Sequence, residues 1–119
     1  MIGWTRAMAA AVLCWTVLGM STRTIDGDTF VAELEIWPGV RVTEHIRVLG
    51  VDTPERTEAT RGAWASARDF TAGWLDRQQI VVTACRRDSF GRLLGRVTKD
   101  NATRDLARDI IGAGHGRPR

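Results

Sequence analysis

Residues 47 to 55, RVLGVDTPE, run from an apolar, strand-like segment into two carboxylates, Asp52 and Glu55, set three positions apart around a Thr-Pro pair. Carboxylates at a strand end can gather a hard cation or take a proton from water. The same residues also make an ordinary solvated turn, which needs only a Gly or Pro and something polar. This stretch leaves both readings open, and the rest of the chain has to decide between them.

The elements that would position such a pair fit in one small domain, since the chain has 119 residues. An apolar content of 44% with 26% charged residues excludes disorder and fibrous repeats, and no internal repeat is present. The net charge of +3 and isoelectric point near 9.6 bias the chain mildly towards anionic partners such as nucleic acid. All the basic residues but Lys99 are arginine, which suits bidentate phosphate contact and is also what a GC-rich coding sequence produces. Cys14 and Cys85 lie far apart in segments of different character, and neither belongs to a C-x-x-C pair. A metal or redox site built on sulfur is therefore not expected. His45 and His115 are isolated as well, which leaves zinc without a home.

The N-terminal run from Ala7 to Met20 is apolar and preceded by one cation, Arg6. It is too short to span a bilayer, so no stable membrane span is expected. Its layout matches a secretory signal peptide with small residues near Gly19 but no clean A-x-A site; an apolar first strand is the alternative. Residues 1–19 are accordingly set apart as a signal peptide or apolar extension, and residues 20–119 as the folded domain. The first alternative implies secretion and the second a cytoplasmic protein.

From residue 20 the pattern reads as strands, helix, strands, helix. Asp26-Gly27-Asp28 and Pro38-Gly39 are turn signals between segments with partial alternation, such as Leu34 and Ile36 or Ile46 and Val48, which predicts about three antiparallel strands. Ala63, Ala67, Phe70 and Trp74 then fall on one helical stripe, widened by Trp64 and Leu75. Ile80, Val82 and Ala84 alternate, RRDSFG turns the chain, and RLLGRV returns it. A second helix carries Leu106, Ala107, Ile110 and Ile111 on one face and stops at Gly112 and Gly114. Five strands with a helix between the third and fourth fit a five-stranded Greek-key barrel of the OB type with two helices, an α+β fold.

Three motifs in this order and spacing, IDGDTF (25–30), RVLGVDTPE (47–55) and DSFGR (88–92), resemble the staphylococcal, or micrococcal, nuclease family, also called thermonucleases. The likeness covers roughly residues 20–116. It implies an OB-like barrel and calcium-dependent, largely sequence-nonspecific hydrolysis of phosphodiester bonds in DNA or RNA, in which the 5′-oxygen leaves and 3′-phosphates are produced. It further implies that Asp28, Asp52 and the backbone carbonyl of Thr53 hold Ca²⁺ and that Glu55 acts as general base or water-orienting group. Arg47 and Arg92 would clamp the phosphate, and Ser89 and Phe90 would touch the substrate.

Those assignments make chemical sense. Phosphodiester cleavage needs cations around a dianionic, five-coordinate transition state and a base for the in-line water. Oxygen-only ligation from carboxylate, carbonyl and water suits Ca²⁺. Arg47 points opposite to Ile46 and Val48, so it can face a site while they pack the core. Planar guanidinium forks can each hold two phosphoryl oxygens.

There are departures from the family pattern. The chain has no tyrosine, Phe90 keeps a ring without a hydroxyl, and the short RTEATRG follows DTPE where the family's best-known member has a lysine-rich loop. Tight mononucleotide binding is not expected. A monomer is. The alternative function is a non-catalytic OB-type module that binds single-stranded nucleic acid or serves as an interaction scaffold. Such domains usually lose acidic or arginine site residues, and here every one is present.

Overall fold

A computed structural model describes residues 13–119. Five strands make the barrel: β1 (Trp15–Asp26), β2 (Thr29–Trp37), β3 (Val40–Val48), β5 (Ile80–Arg87) and β6 (Leu93–Lys99). They follow the order β3-β2-β1-β5-β6, antiparallel throughout, and a short parallel pairing of β3 with β6 closes the ring. The α+β barrel with two helices inferred from sequence is the fold found. Helix α1 (Arg61–Leu75) lies between β3 and β5, and helix α2 (Leu106–Gly112) follows β6. Two-residue strands β4 (Val51–Asp52), β7 (Arg104–Asp105) and β8 (Arg117–Pro118) complete the chain, with β4 pairing β8 outside the barrel sheet.

Strand alternation builds the interior. Phe30, Ala32 and Leu34 of β2, Ile46 and Val48 of β3, Ile80, Val82 and Ala84 of β5, and Leu93 and Val97 of β6 all point into one core. Gly95, which pairs with Val48 in the closing seam, leaves no room for a side chain, because a Cβ there would meet Val82 Cγ1 of the neighbouring β5 at 2.9 Å and Ile46 Cγ2 of β3 at 3.4 Å. Leu106 and Ile110 of α2 cap the core at one end, and Trp74 and Leu75 of α1 reach it as well. The face of α1 is rotated from the predicted one. Trp64, Ala67, Thr71, Trp74 and Leu75 are buried while Ala63 is exposed, because the buried Thr71 hydroxyl finds a backbone acceptor, the Gly27 carbonyl, at 2.6 Å.

The expected boundary at residue 20 falls inside a strand. Trp15–Met20 belongs to β1, and all the residue pairs that join β1 to β5, Trp15↔Ala84 to Gly19↔Ile80, come from this segment. Val17 packs on the core. The apolar run therefore supplies part of the first strand, as one of its two readings allowed; its portion before residue 13 lies outside the described residues. Cys14 and Cys85, which the sequence reading kept apart, are joined by a disulfide just beyond the Trp15↔Ala84 pair. Among the described residues no helix is long and apolar enough to cross a membrane.

Candidate active site

The turn between β1 and β2 carries Asp28. Gly27 is required there because a Cβ would lie 2.8 Å from Ala67 Cβ and 2.9 Å from Thr53 Cγ2, so only glycine lets the turn press against α1. Asp28 accepts from Thr29 Oγ1 at 3.1 Å through Oδ1 and from the Thr53 N–H at 3.0 Å through Oδ2. Asp52 stands on β4, beyond a tight turn after β3 in which Gly50 adopts φ 92°.

Arg47 ties these together. It is 5% exposed although it lies on the outer side of β3, because the β3–β4 turn folds back over it. Its Nη1 donates to the carbonyls of Val48 and Val51, both at 2.8 Å. Its Nη2 sits 2.5 Å from Asp52 Oδ1 and 3.3 Å from Asp28 Oδ2, so the two carboxylates converge on one nitrogen. Asp52 Oδ1 also faces Arg119 Nη1 at 3.2 Å, brought there by the β4–β8 pairing.

Glu55 follows in an exposed loop. Its backbone carbonyl accepts from the Thr57 N–H at 3.0 Å and from the Thr60 hydroxyl, which pins the turn. Among the described residues nothing hydrogen-bonds its carboxylate, which leaves both oxygens open to water.

Arg92 arrives from the opposite side, on the β5–β6 loop. Asp88 organises that loop: its Oδ1 accepts from the N–H groups of Phe90 at 2.9 Å and Arg92 at 3.0 Å, and its Oδ2 accepts from Arg92 Nε at 2.7 Å. Gly91, at φ 84°, makes the reversal. Partial burial acts to raise the Asp88 carboxyl, but the Arg92 N–H, the Arg92 guanidinium and the Phe90 N–H outweigh it and hold it below the usual carboxylate range. The two terminal nitrogens of Arg92 have no partner among the described residues, and its guanidinium lies 5.3 Å from the centre of the Phe90 ring. Phe90 is 82% exposed.

A single open cavity of about 950 Å³ receives Asp28, Arg47, Asp52, Thr53, Glu55, Phe90 and Arg92. Of the residues singled out in the sequence, only Ser89 stays outside it; Ser89 lines a neighbouring groove that also meets Phe90 and Arg92. Asp26, Arg56, His115, Arg117 and Arg119 line the cavity too and carried no expected role in it. The Asp-x-x-Gly turn was the available signal for Asp88. No local pattern announces Arg119 or His115, because a long-range strand pairing brings the tail there.

The donor set can be tested against a cation. Among the described residues no three of His, Cys, Asp and Glu converge on one point. Two carboxylates, Asp28 and Asp52, do converge, on Arg47 Nη2, and the hydroxyl oxygen of Thr53, whose N–H bonds Asp28, is buried with no hydrogen-bond partner among the described residues. A buried hydroxyl oxygen with no partner is free to face an electropositive group. With the Thr53 carbonyl these are all hard oxygens, few in number and completed by water, a set that fits Ca²⁺ and suits zinc poorly.

Comparison with known proteins agrees with this geometry. A family model described as staphylococcal nuclease homologue matches residues 45–117. Two curated relatives, each named an uncharacterized endonuclease, from Escherichia coli O157:H7 and Escherichia coli, are 33% identical over 86 residues, or 72% of this chain. That match is 51% of each relative, so the chain spans about half the length of the curated relatives it matches. From the barrel, the convergent site and the matched span together, the chain belongs to the staphylococcal nuclease family.

Proposed function

We propose that this protein is a nuclease that hydrolyses phosphodiester bonds of DNA or RNA with little regard to sequence and uses Ca²⁺. The observation that carries the reading is the meeting, in one open cavity, of two converging carboxylates, an unencumbered Glu55 carboxylate and an arginine with two free terminal nitrogens. Asp28, Asp52 and Thr53 would hold the cation, which when bound neutralises charge at the phosphoryl group. Glu55 takes the proton from the attacking water. The terminal nitrogens of Arg92 receive phosphoryl oxygens as negative charge grows on them, and Asp88 holds the fork so that little reorganisation is needed. Arg47 keeps Asp28 and Asp52 at a fixed separation through Nη2 and adds its positive charge beside the same phosphate. The 5′-oxygen leaves, taking a proton from solvent, and a 3′-phosphate remains.

Phe90, open to solvent beside the guanidinium of Arg92, gives a base a ring to stack on. Ser89, in the adjoining groove, is a further polar contact along the strand. A protein that only binds would have no use for a free carboxylate beside the phosphate, where it repels the ligand. The Cys14–Cys85 disulfide supports an oxidising compartment, where such bonds persist, but only for a chain that keeps residue 14, so it argues against a leader cleaved after Gly19. The working unit is taken as a monomer.

A plasmid and an RNA transcript incubated with the protein in Ca²⁺, Mg²⁺ or excess chelator provide the test. Cleavage is expected in Ca²⁺, weaker in Mg²⁺, because few protein ligands with loose geometry favour the larger ion. Full cleavage in chelator overturns the mechanism.

A further inference from the structure

On the rim of the cavity, next to Glu55, Arg56 lays its guanidinium over the ring of Trp64, 4.8 Å from its centre. Trp64 is 7% exposed and cannot drift, because its Nε1–H donates to Asp26 Oδ1 at 2.6 Å. Arg68 stacks on the same ring at 4.7 Å, but its charge is balanced by Asp69, which accepts from Nε at 3.2 Å and from Nη2 at 2.9 Å. Arg56 has no carboxylate within ion-pairing distance among the described residues. Its charge is therefore uncompensated and exposed, while its plane is held by the most favourable aromatic partner for a cation. An exposed arginine that is already ordered loses less freedom on binding than one on a free side chain.

We propose that Arg56, seated on Trp64, is a second phosphate-binding site, which takes a backbone phosphate flanking the scissile one and so aligns a polynucleotide strand across the cavity between Arg56 and Arg92. This rests on the nucleic-acid reading of the cavity and adds a substrate requirement to it. A strand long enough to reach both arginines is held at two points, and a dinucleotide at one. Arg56 touches no reacting atom; it positions the strand.

Binding and cleavage are measured separately. Anisotropy of a labelled twelve-nucleotide single strand, with Ca²⁺ and in the E55Q background to suppress cleavage, is titrated over a range of salt. R56Q should lower the slope of log K against log salt by about 0.7, the value for one single-strand phosphate contact. R77Q, which removes the same charge beyond the end of α1, should leave the slope unchanged. With Glu55 restored, R56Q should raise KM for the long strand about tenfold and leave kcat, and cleavage of a dinucleotide ester, near wild type. Equal slopes for R56Q and its parent, or equal losses on long and short substrates, overturn the site. So does an absence of salt-dependent binding by the parent. If the slope falls as stated but no variant cleaves in Ca²⁺, the phosphate site stands and the nuclease reading is what fails.

Discussion

Arg47 and Arg92 share a side chain and differ in what surrounds it. A lysine at 92 keeps the charge but loses the fork whose terminal nitrogens point into the cavity, so kcat is expected to fall on the order of 10², as for a lost preorganised donor of about 3 kcal/mol. The fold should be undisturbed. A lysine at 47 also withdraws the Nη1 bonds to the carbonyls of Val48 and Val51, and a stability loss of about 2 kcal/mol should accompany the loss of activity. Glu55→Gln should be slow and well folded, while Arg96→Lys should match wild type, because Arg96 is occupied by Asp105 at 2.9 Å away from the cavity. Nuclease rates with urea unfolding curves separate these outcomes. Normal kcat in Arg92→Lys removes the clamp. That Arg47 faces away from Ile46 and Val48 was legible from strand parity. That it is buried was not, because its cover is the β3–β4 turn, and strand parity does not foresee a chain folding back on itself.

At the scale of elements, strand alternation and helix stripes were legible where one local period sets burial, as in Phe30, Ala32 and Leu34 or in Leu106 and Ile110. The face of α1 was misjudged at Ala63 and Thr71. A hydroxyl counts as polar until its acceptor is known, and here the acceptor is a carbonyl 44 residues away. The start of β1 was ambiguous for another reason: an apolar run reads alike as a leader and as a strand that is buried on one side. The difference has a direct consequence, because every pair between β1 and β5 involves Trp15–Gly19. A chain beginning at Met20 should lose that seam, expose the edge of β5 and the core beneath Val17, and give a broad, weakly cooperative melt or insoluble protein. A chain beginning at Leu13 should keep a cooperative transition. Circular dichroism melts of the two decide it. A Met20 chain as stable as the longer one would mean that the seam is dispensable, and cleavage after Gly19 would again be compatible with the barrel.

At the scale of the whole molecule, the disulfide acts on the same seam from outside. Cys14 and Cys85 are separated by 71 residues and both are exposed, so the bond staples the first barrel strand to the fourth without belonging to the core. Nothing local in the sequence pairs them; only closure of the ring brings the two cysteines together. In the chain-entropy account a closed loop of this length is worth roughly 4 kcal/mol, with native disulfides typically delivering about 2 to 4. A domain of this size gains about 3 to 5 °C in Tm per kcal/mol, so replacing both cysteines with serine should lower Tm by about 10 °C. A reducing agent should do the same to the wild-type protein and nothing further to the double-serine variant, which rules out an effect of reductant on anything but this bond. The candidate active-site cavity is lined from other parts of the chain, so at temperatures below both melts kcat should be unchanged on reduction. An unmoved Tm would mean that strand pairing alone holds β1 to β5, and the disulfide would then give no support to an oxidising compartment.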